Sequence, residues 1–165
     1  SLFETRVNRT LRVRAQETAF SGTISSNLIA LPSDFAAFKV LWQEGYEYQP
    51  LVPVSLEVLI ATNKTTDVPV HWAIDRTNVR FDGVGDITGV YYATLPAITA
   101  DSQTNWMLTS HYDAYLFGVL SEAFDYLMDD PRSARYAARS QSVLNAIQSA
   151  DNKDKYGGQL TVKVR

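Results

Sequence analysis

Residues 105–158, NWMLTSHYDAYLFGVLSEAFDYLMDDPRSARYAARSQSVLNAIQSADNKDKYGG, carry the strongest periodicity in the chain and decide its fold class. Leu108, Tyr112, Tyr115, Leu116, Val119, Leu120, Ala123, Phe124 and Leu127 recur at spacings of three and four, which predicts a helix with one wide apolar stripe. Ser110, with Asp113 three residues on, predicts a capping box at its start. Gly118 inside the helix costs up to ~1 kcal/mol against alanine, so another backbone is expected to come close there. Asp130 and Pro131 predict the N-cap and first residue of a second helix. Its inner face holds Tyr136, Val143, Leu144 and Ile147, with Ala137, Ala138 and Ala146 permitting tight packing, while Arg132, Arg135 and Arg139 line another face. Gly157 and Gly158 supply a left-handed cap, and the joint is short enough to dictate an antiparallel hairpin.

Upstream, residues 2–14 place Leu2, Phe3, Val7 and Leu11 on one face of a short helix, with Arg6, Arg9, Arg12 and Arg14 around the rest. Leu2-Phe3-Glu4 reads as mid-helix, so the pattern expects residues ahead of Ser1. Between the helical ends the chain reads as β-structure. Residues 16–31 alternate around Gly22 and Ser25-Ser26-Asn27 as a hairpin or twisted strand does. Residues 38–42 and 46–48 predict two strands across a Gln43-Glu44-Gly45 loop. Pro50 and Pro53 confine residues 51–54 to an edge or crossing segment. Ser55 predicts the N-cap of a helix over residues 56–62 with Leu56, Leu59 and Ile60 inside. Residues 70–74 and 79–81 form a second hairpin about Asp75-Arg76-Thr77-Asn78, and residues 89–95 a further strand ending at Pro96. Leu160, Thr161, Val162, Lys163, Val164 and Arg165 alternate as a lone strand behind the two glycines, suited to its own sheet or to the edge of another chain's.

At 165 residues and 45% hydrophobic, the chain fits one domain with its own core. A net charge of -3 argues against tenure on nucleic acid by counterion release, which needs a basic face. With no cysteine, disulfides and thiolate metal sites are excluded, and no apolar run approaches the ~20 residues of a membrane span. His71 and His111, the two histidines, have no carboxylate at convergent spacing, so neither metal nor cofactor is expected. Asp129-Asp130 is explained by capping, Glu122 and Asp125 read as a solvent-facing pair, and no serine lies in a nucleophile-elbow motif. The residues therefore predict a non-enzyme. Its aromatics, among them Trp42, Tyr46, Tyr48 and Trp72, sit in segments poor in lysine and arginine and favour a protein interface or core over base stacking.

The order of these features carries a resemblance. Arg6-Val7-Asn8-Arg9-Thr10-Leu11-Arg12, LPSDF at 31–35, Pro50-Leu51, Tyr91-Tyr92-Ala93, Leu95-Pro96, Thr104-Asn105-Trp106-Met107-Leu108, His111, Tyr115-Leu116-Phe117-Gly118, Ala123, Tyr126-Leu127, Asp129-Asp130, Ala150-Asp151 and Gly157-Gly158 succeed one another across nearly the whole chain. In this the sequence resembles the head-to-tail adaptor, or connector, proteins of tailed bacteriophages and phage-like gene transfer particles. The resemblance implies an α+β fold: an antiparallel helical bundle with an inserted β-rich region and a C-terminal strand arm. The expected organisation is a single adaptor domain over 1–165, with a helix at 1–18, the β-rich insertion at 19–96, the helical hairpin at 105–158 and the arm at 159–165.

It further implies a structural virion protein, assembled in the host cytoplasm, whose dodecameric ring joins the portal to the tail and extends the DNA channel. The expected partners are the portal protein, a tail or nozzle protein, further copies of the chain, and genomic DNA passing without sequence-specific binding; no membrane is involved. Arg132, Arg135 and Arg139 facing Asp125, Asp129 and Asp130 of a neighbour are the expected ring contacts. Leu160, Thr161, Val162, Lys163, Val164 and Arg165 are the expected portal-binding arm, and Trp42, Tyr46, Tyr48 and Trp72 the tail-facing set. Two alternatives stay open: a tail-completion or terminator ring subunit, and a carbohydrate-binding or hydrolytic domain using Trp72 and Tyr91-Tyr92.

Overall fold

The computed structural model describes residues 2–62 and 67–155. It is an α+β protein whose elements run α1 (Leu2–Thr10), β1 (Glu17–Thr23), β2 (Leu28–Ala30), β3 (Phe35–Gln43), β4 (Val52–Pro53), α2 (Leu56–Ala61), β5 (His71–Asp75), β6 (Asn78–Phe81), β7 (Asp86–Ala93), α3 (Trp106–Ser110), α4 (Tyr112–Tyr126) and α5 (Asp130–Lys155). These divide into a helical unit built from residues 1–15 and 95–165, and a β unit of residues 16–94.

In the helical unit, Phe3, Val7 and Leu11 of the first segment are buried against Met107, Ala114, Tyr115, Leu144 and Ile147, each worth about 1.5–3 kcal/mol where a large apolar side chain leaves water completely. Leu2, expected on the same face, is 75% exposed. Helix α1 is also shorter than expected: it stops at Thr10, and Arg14–Gln16 form a separate 3₁₀ turn. Gln148 fixes the join by copying a backbone partner, accepting from Arg12 N–H at 3.2 Å and donating to Arg12 C=O at 3.1 Å.

The start of α4 differs from the expected capping box. Ser110 closes the short helix α3, whose true N-cap is Asn105, accepting from Leu108 N–H at 3.0 Å. Helix α4 begins after His111 without a side-chain cap bond. Its buried face is Ala114, Tyr115, Gly118 and Ser121, whereas Tyr112, Leu116, Val119 and Leu127 of the expected inner stripe face outward. The reason lies in Phe3. A Cβ on Gly118 would collide with the Phe3 ring, itself fully buried and edge-on to Tyr115 at 5.1 Å. The close approach at Gly118 is thus made by an aromatic ring rather than a backbone.

Helix α4 ends in a Schellman arrangement, with Asp129 N–H on Phe124 C=O at 2.9 Å and Met128 N–H on Asp125 C=O at 3.0 Å. Met128 holds the left-handed position (φ 55°) that glycine usually takes. Asp129, one residue earlier than expected, caps α5 by accepting from Arg132 N–H at 3.2 Å. On α5 the expected inner residues Leu144 and Ile147 are buried and Tyr136 and Val143 half-buried.

In the β unit one antiparallel sheet has the order β1-β7-β3 and the second the order β2-β6-β5-β4, with β4 parallel to β5. Phe20, Leu41, Ile87 and Tyr91 of the first sheet share one core with Val79 and Phe81 of the second. Gly89 lies in the middle of β7, where a Cβ would strike Val40 C=O and Leu41 on the neighbouring strand. Residues 16–31, expected as a hairpin or a twisted strand, form two strands about a tight turn but no paired hairpin. Ser26 and Asn27 (φ 52° and 65°) make the two-residue left-handed turn, but β1 and β2 leave it for different sheets. Residues 46–48 form turns instead of a strand, although Gly45 does adopt the left-handed φ of 84°. Ser55 caps α2 as expected, Leu59 is buried, Leu56 is half-buried and Ile60 is 57% exposed. The β5–β6 hairpin pairs Asp75 with Asn78 about Arg76-Thr77, and β4 with Pro53 lies at a sheet edge.

Candidate assembly interface

The arginines predicted on α5 are exposed, and two of them are held by rings. Arg132 lies 5.5 Å over Phe124, and Arg139 lies 5.6 Å over Phe117 and 5.8 Å over Tyr136. Tyr136 itself stacks on Phe124 at 5.4 Å and on Phe117 at 6.2 Å, so rings of α4 and α5 form a ladder between the two guanidinium groups. A guanidinium lying on a ring is held in orientation while keeping donors in its plane for a carboxylate. Arg135 makes no ion pair among the described residues, whereas Arg132 stands 3.5 Å from Asp129 of its own chain.

The predicted acidic partners gather at the α4–α5 joint. Asp125 and Asp130 are exposed, and Asp129 is half-buried by its capping role. The set therefore presents acid at the tip of the hairpin and base along about two adjoining turns of α5, with one intrachain pair where they meet.

Two clusters in this unit escaped the sequence reading. Asn105 donates to Tyr115 Oη at 2.6 Å, and Tyr115 donates to Glu4 Oε1 at 2.9 Å, which also accepts from Ile98 N–H at 3.0 Å. Burial first, with the Glu4 carboxylate adding to it, pushes the Tyr115 phenol up to about 12 against an opposing bond from Asn105. At the far end of α5, Asp151 accepts from Arg14 Nε at 3.0 Å and lies 2.6 Å from Lys155 Nζ. Burial raises this carboxyl, yet these bonds outweigh it and hold it below the usual aspartate range. Both clusters tie the N-terminal segment to the helical hairpin.

The aromatic set of the β unit is divided by the structure. Tyr46 and Tyr48 are exposed, with ring centres 6.4 Å apart. Trp42 is half-buried on β3. Trp72 works inward: it meets Phe38 edge-on at 5.1 Å and donates from Nε1 to Leu51 C=O at 3.3 Å. The predicted arm of Leu160, Thr161, Val162, Lys163, Val164 and Arg165, together with Gly157 and Gly158, lies outside the described residues.

His71 finds a carboxylate partner that the sequence reading did not expect, Asp82. Its Nδ1 stands 2.7 Å from Asp82 Oδ2, while Asp82 Oδ1 accepts from the Val70 and His71 amides at 2.9 Å each. Burial raises the Asp82 carboxyl, but these bonds hold it below the usual range. The arrangement pins the start of β5 to the end of β6 and has an ordinary structural use. Among the described residues no group of three or more His, Asp or Glu is placed to hold a metal ion, and no helix is long and apolar enough to cross a membrane.

No curated protein sequence matches the chain. The model of one family does, over residues 1–163, and its description is SU10 adaptor protein. With a match over nearly its whole length, this α+β chain belongs to the SU10 adaptor family, structural phage proteins that bind other components of the virion.

Proposed function

We propose that this chain forms a dodecameric ring that joins the portal to the tail and extends the DNA channel, assembled in the host cytoplasm and retained in the virion. The observation that carries the reading is the outer surface of the α4–α5 hairpin, where ring-held arginines and exposed aspartates lie side by side. Such a surface offers two complementary edges, Arg132, Arg135 and Arg139 against Asp125, Asp129 and Asp130, and a head-to-tail contact of that kind closes into a ring when the rotation allows. A net charge of -3 suits a wall that lets DNA slide without gripping it. Residues 1–165 act as one adaptor domain, a helical bundle carrying the 19–96 β-rich insertion. In this reading Trp42, Tyr46, Tyr48 and Trp72 mark the side that meets a tail or nozzle protein, with the exposed Tyr46 and Tyr48 making the contact. Leu160, Thr161, Val162, Lys163, Val164 and Arg165 add as a strand to the portal.

Electron microscopy of the purified chain with its portal tests this directly: a twelve-fold ring seated on the portal is the expected result. A six-fold ring on a tail tube overturns it in favour of a tail terminator. Deleting residues 160–165 is expected to abolish portal attachment while the circular dichroism of the folded chain persists. Full attachment by the truncated chain refutes the arm.

A further inference from the structure

The outward face of α4 is apolar from end to end. Tyr112, Leu116, Val119, Ala123 and Tyr126 succeed one another at spacings of four, three, four and three, the seam of a coiled coil. They point away from the buried face of the same helix: Tyr112 is 69% exposed, Leu116 50% and Tyr126 86%. With Leu116 and Val119 (45% exposed) between them, the two tyrosines bound an exposed apolar strip about 20 Å long. Just past the end of the helix Leu127 is 67% exposed and Met128 89%, the latter at a left-handed position where glycine would be less strained.

The charges beside the seam say what covers it. Asp113 and Glu122 occupy the positions flanking it, so a second α4 laid along it would set carboxylate against carboxylate. The outward face of α5 is the complement. Ala134, Ala138, Ser142, Asn145 and Ser149 are all exposed and none is larger than asparagine, which leaves room for large knobs. Arg132, Arg135 and Arg139 stand beside that face.

We infer that the α4 seam is the hydrophobic centre of the contact between subunits, seated on the outer face of α5 of a second copy of this chain, with the Asp113 and Glu122 flank meeting the arginine edge. This rests on the ring reading above and names the surface that closes the ring. It makes the charged pairs the rim of the contact, where they steer and align, and gives the apolar seam most of the affinity.

The chain has no cysteine, so single cysteines report cleanly. Full-length Val119→Cys is mixed with Ala138→Cys or Ser142→Cys at concentrations where the wild type associates, and treated with a short bismaleimide. Crosslinked heterodimer in the mixtures, with none from Val119→Cys alone, is expected. In parallel, Leu116→Glu/Val119→Glu is followed by sedimentation velocity and negative-stain microscopy; at two exposed sites it retains the wild-type circular dichroism and weakens association at least about tenfold. Closed rings without the 119–138 or 119–142 crosslink, or rings unaffected by the glutamates, overturn the seam and leave the ring standing. Crosslinking of Val119→Cys to itself overturns the choice of α5 as partner face. A wild type that forms no ring even with its portal overturns both seam and ring.

Discussion

Replacing Gly118 by alanine sets two terms against each other. In an exposed helix interior the change would stabilise by ~1 kcal/mol, through the entropy glycine loses on folding. Here the new methyl would lie inside contact distance of three atoms of the Phe3 ring. That ring has no exposed surface and is braced by Tyr115 5.1 Å away, so it cannot swing aside as the tip of a surface side chain would. Overpacking of a closed core costs typically 1–3 kcal/mol, and with the propensity gain subtracted the net is a loss of about 0–2 kcal/mol, the upper half favoured by the fixed ring. In a chain of this size each kcal/mol moves the melting midpoint by about 2–4 °C, so thermal unfolding of the full chain, with urea titration beside it, is expected to show G118A lower by up to about 8 °C. The double variant Phe3→Leu/Gly118→Ala is the control. If the ring is the obstacle, the two changes are strongly non-additive and alanine becomes tolerable once the ring is gone. A G118A protein more stable than wild type by the full propensity term would refute the close seating of α1 on α4.

Three further outcomes follow from the geometry. Ser140 is fully buried and its Oγ has no hydrogen-bond partner among the described residues, so Ser140→Ala should stabilise by about 1 kcal/mol in urea unfolding; a loss would reveal a bond to that hydroxyl. The folded-state pKa of Asp82 is depressed, so its contribution is present above the ordinary aspartate value near ~3.9 and is lost as pH falls through the lower folded value. Urea midpoints of wild type and Asp82→Asn should accordingly differ at pH 7 and 5 and converge in acid, and a constant gap down to pH 2 would contradict the bonds to His71 and Val70. Arg135→Glu/Arg139→Glu should weaken ring assembly, most at low salt, as seen by microscopy and sedimentation; assembly unchanged at both low and high salt would count against a charged edge.

The helical hairpin was legible because its apolar spacing is long and its joint so short. What periodicity could not decide was which side of α4 is inside. The helix is apolar over more than half its circumference, and the choice falls to Gly118, where the lack of a Cβ lets the Phe3 ring come close. Asn105 lost the capping role on paper to Ser110-x-x-Asp113, a more familiar pattern sitting one helix too late. The His71 partner was within reach of sequence reasoning. Once residues 71–75 and 78–81 are paired about Arg76-Thr77, Trp72 faces Phe81 and the next step of the register brings His71 to Asp82. The Glu4–Tyr115–Asn105 cluster had no such signal, because no local pattern spans the distance between its members.

That distance has a consequence for how the protein is made. The hydrogen bond from Tyr115 to Glu4 joins residues 111 apart, and at the ~5–20 residues per second of synthesis the first helix waits roughly 5–20 s before its partner emerges. All of the β unit, residues 16–94, is synthesised in that interval. Phe3, Val7 and Leu11 cannot reach their seat on the helical hairpin before then, and a nascent chain stalled before residue 115 holds that face without its Tyr115 partner, open to chaperones and proteases.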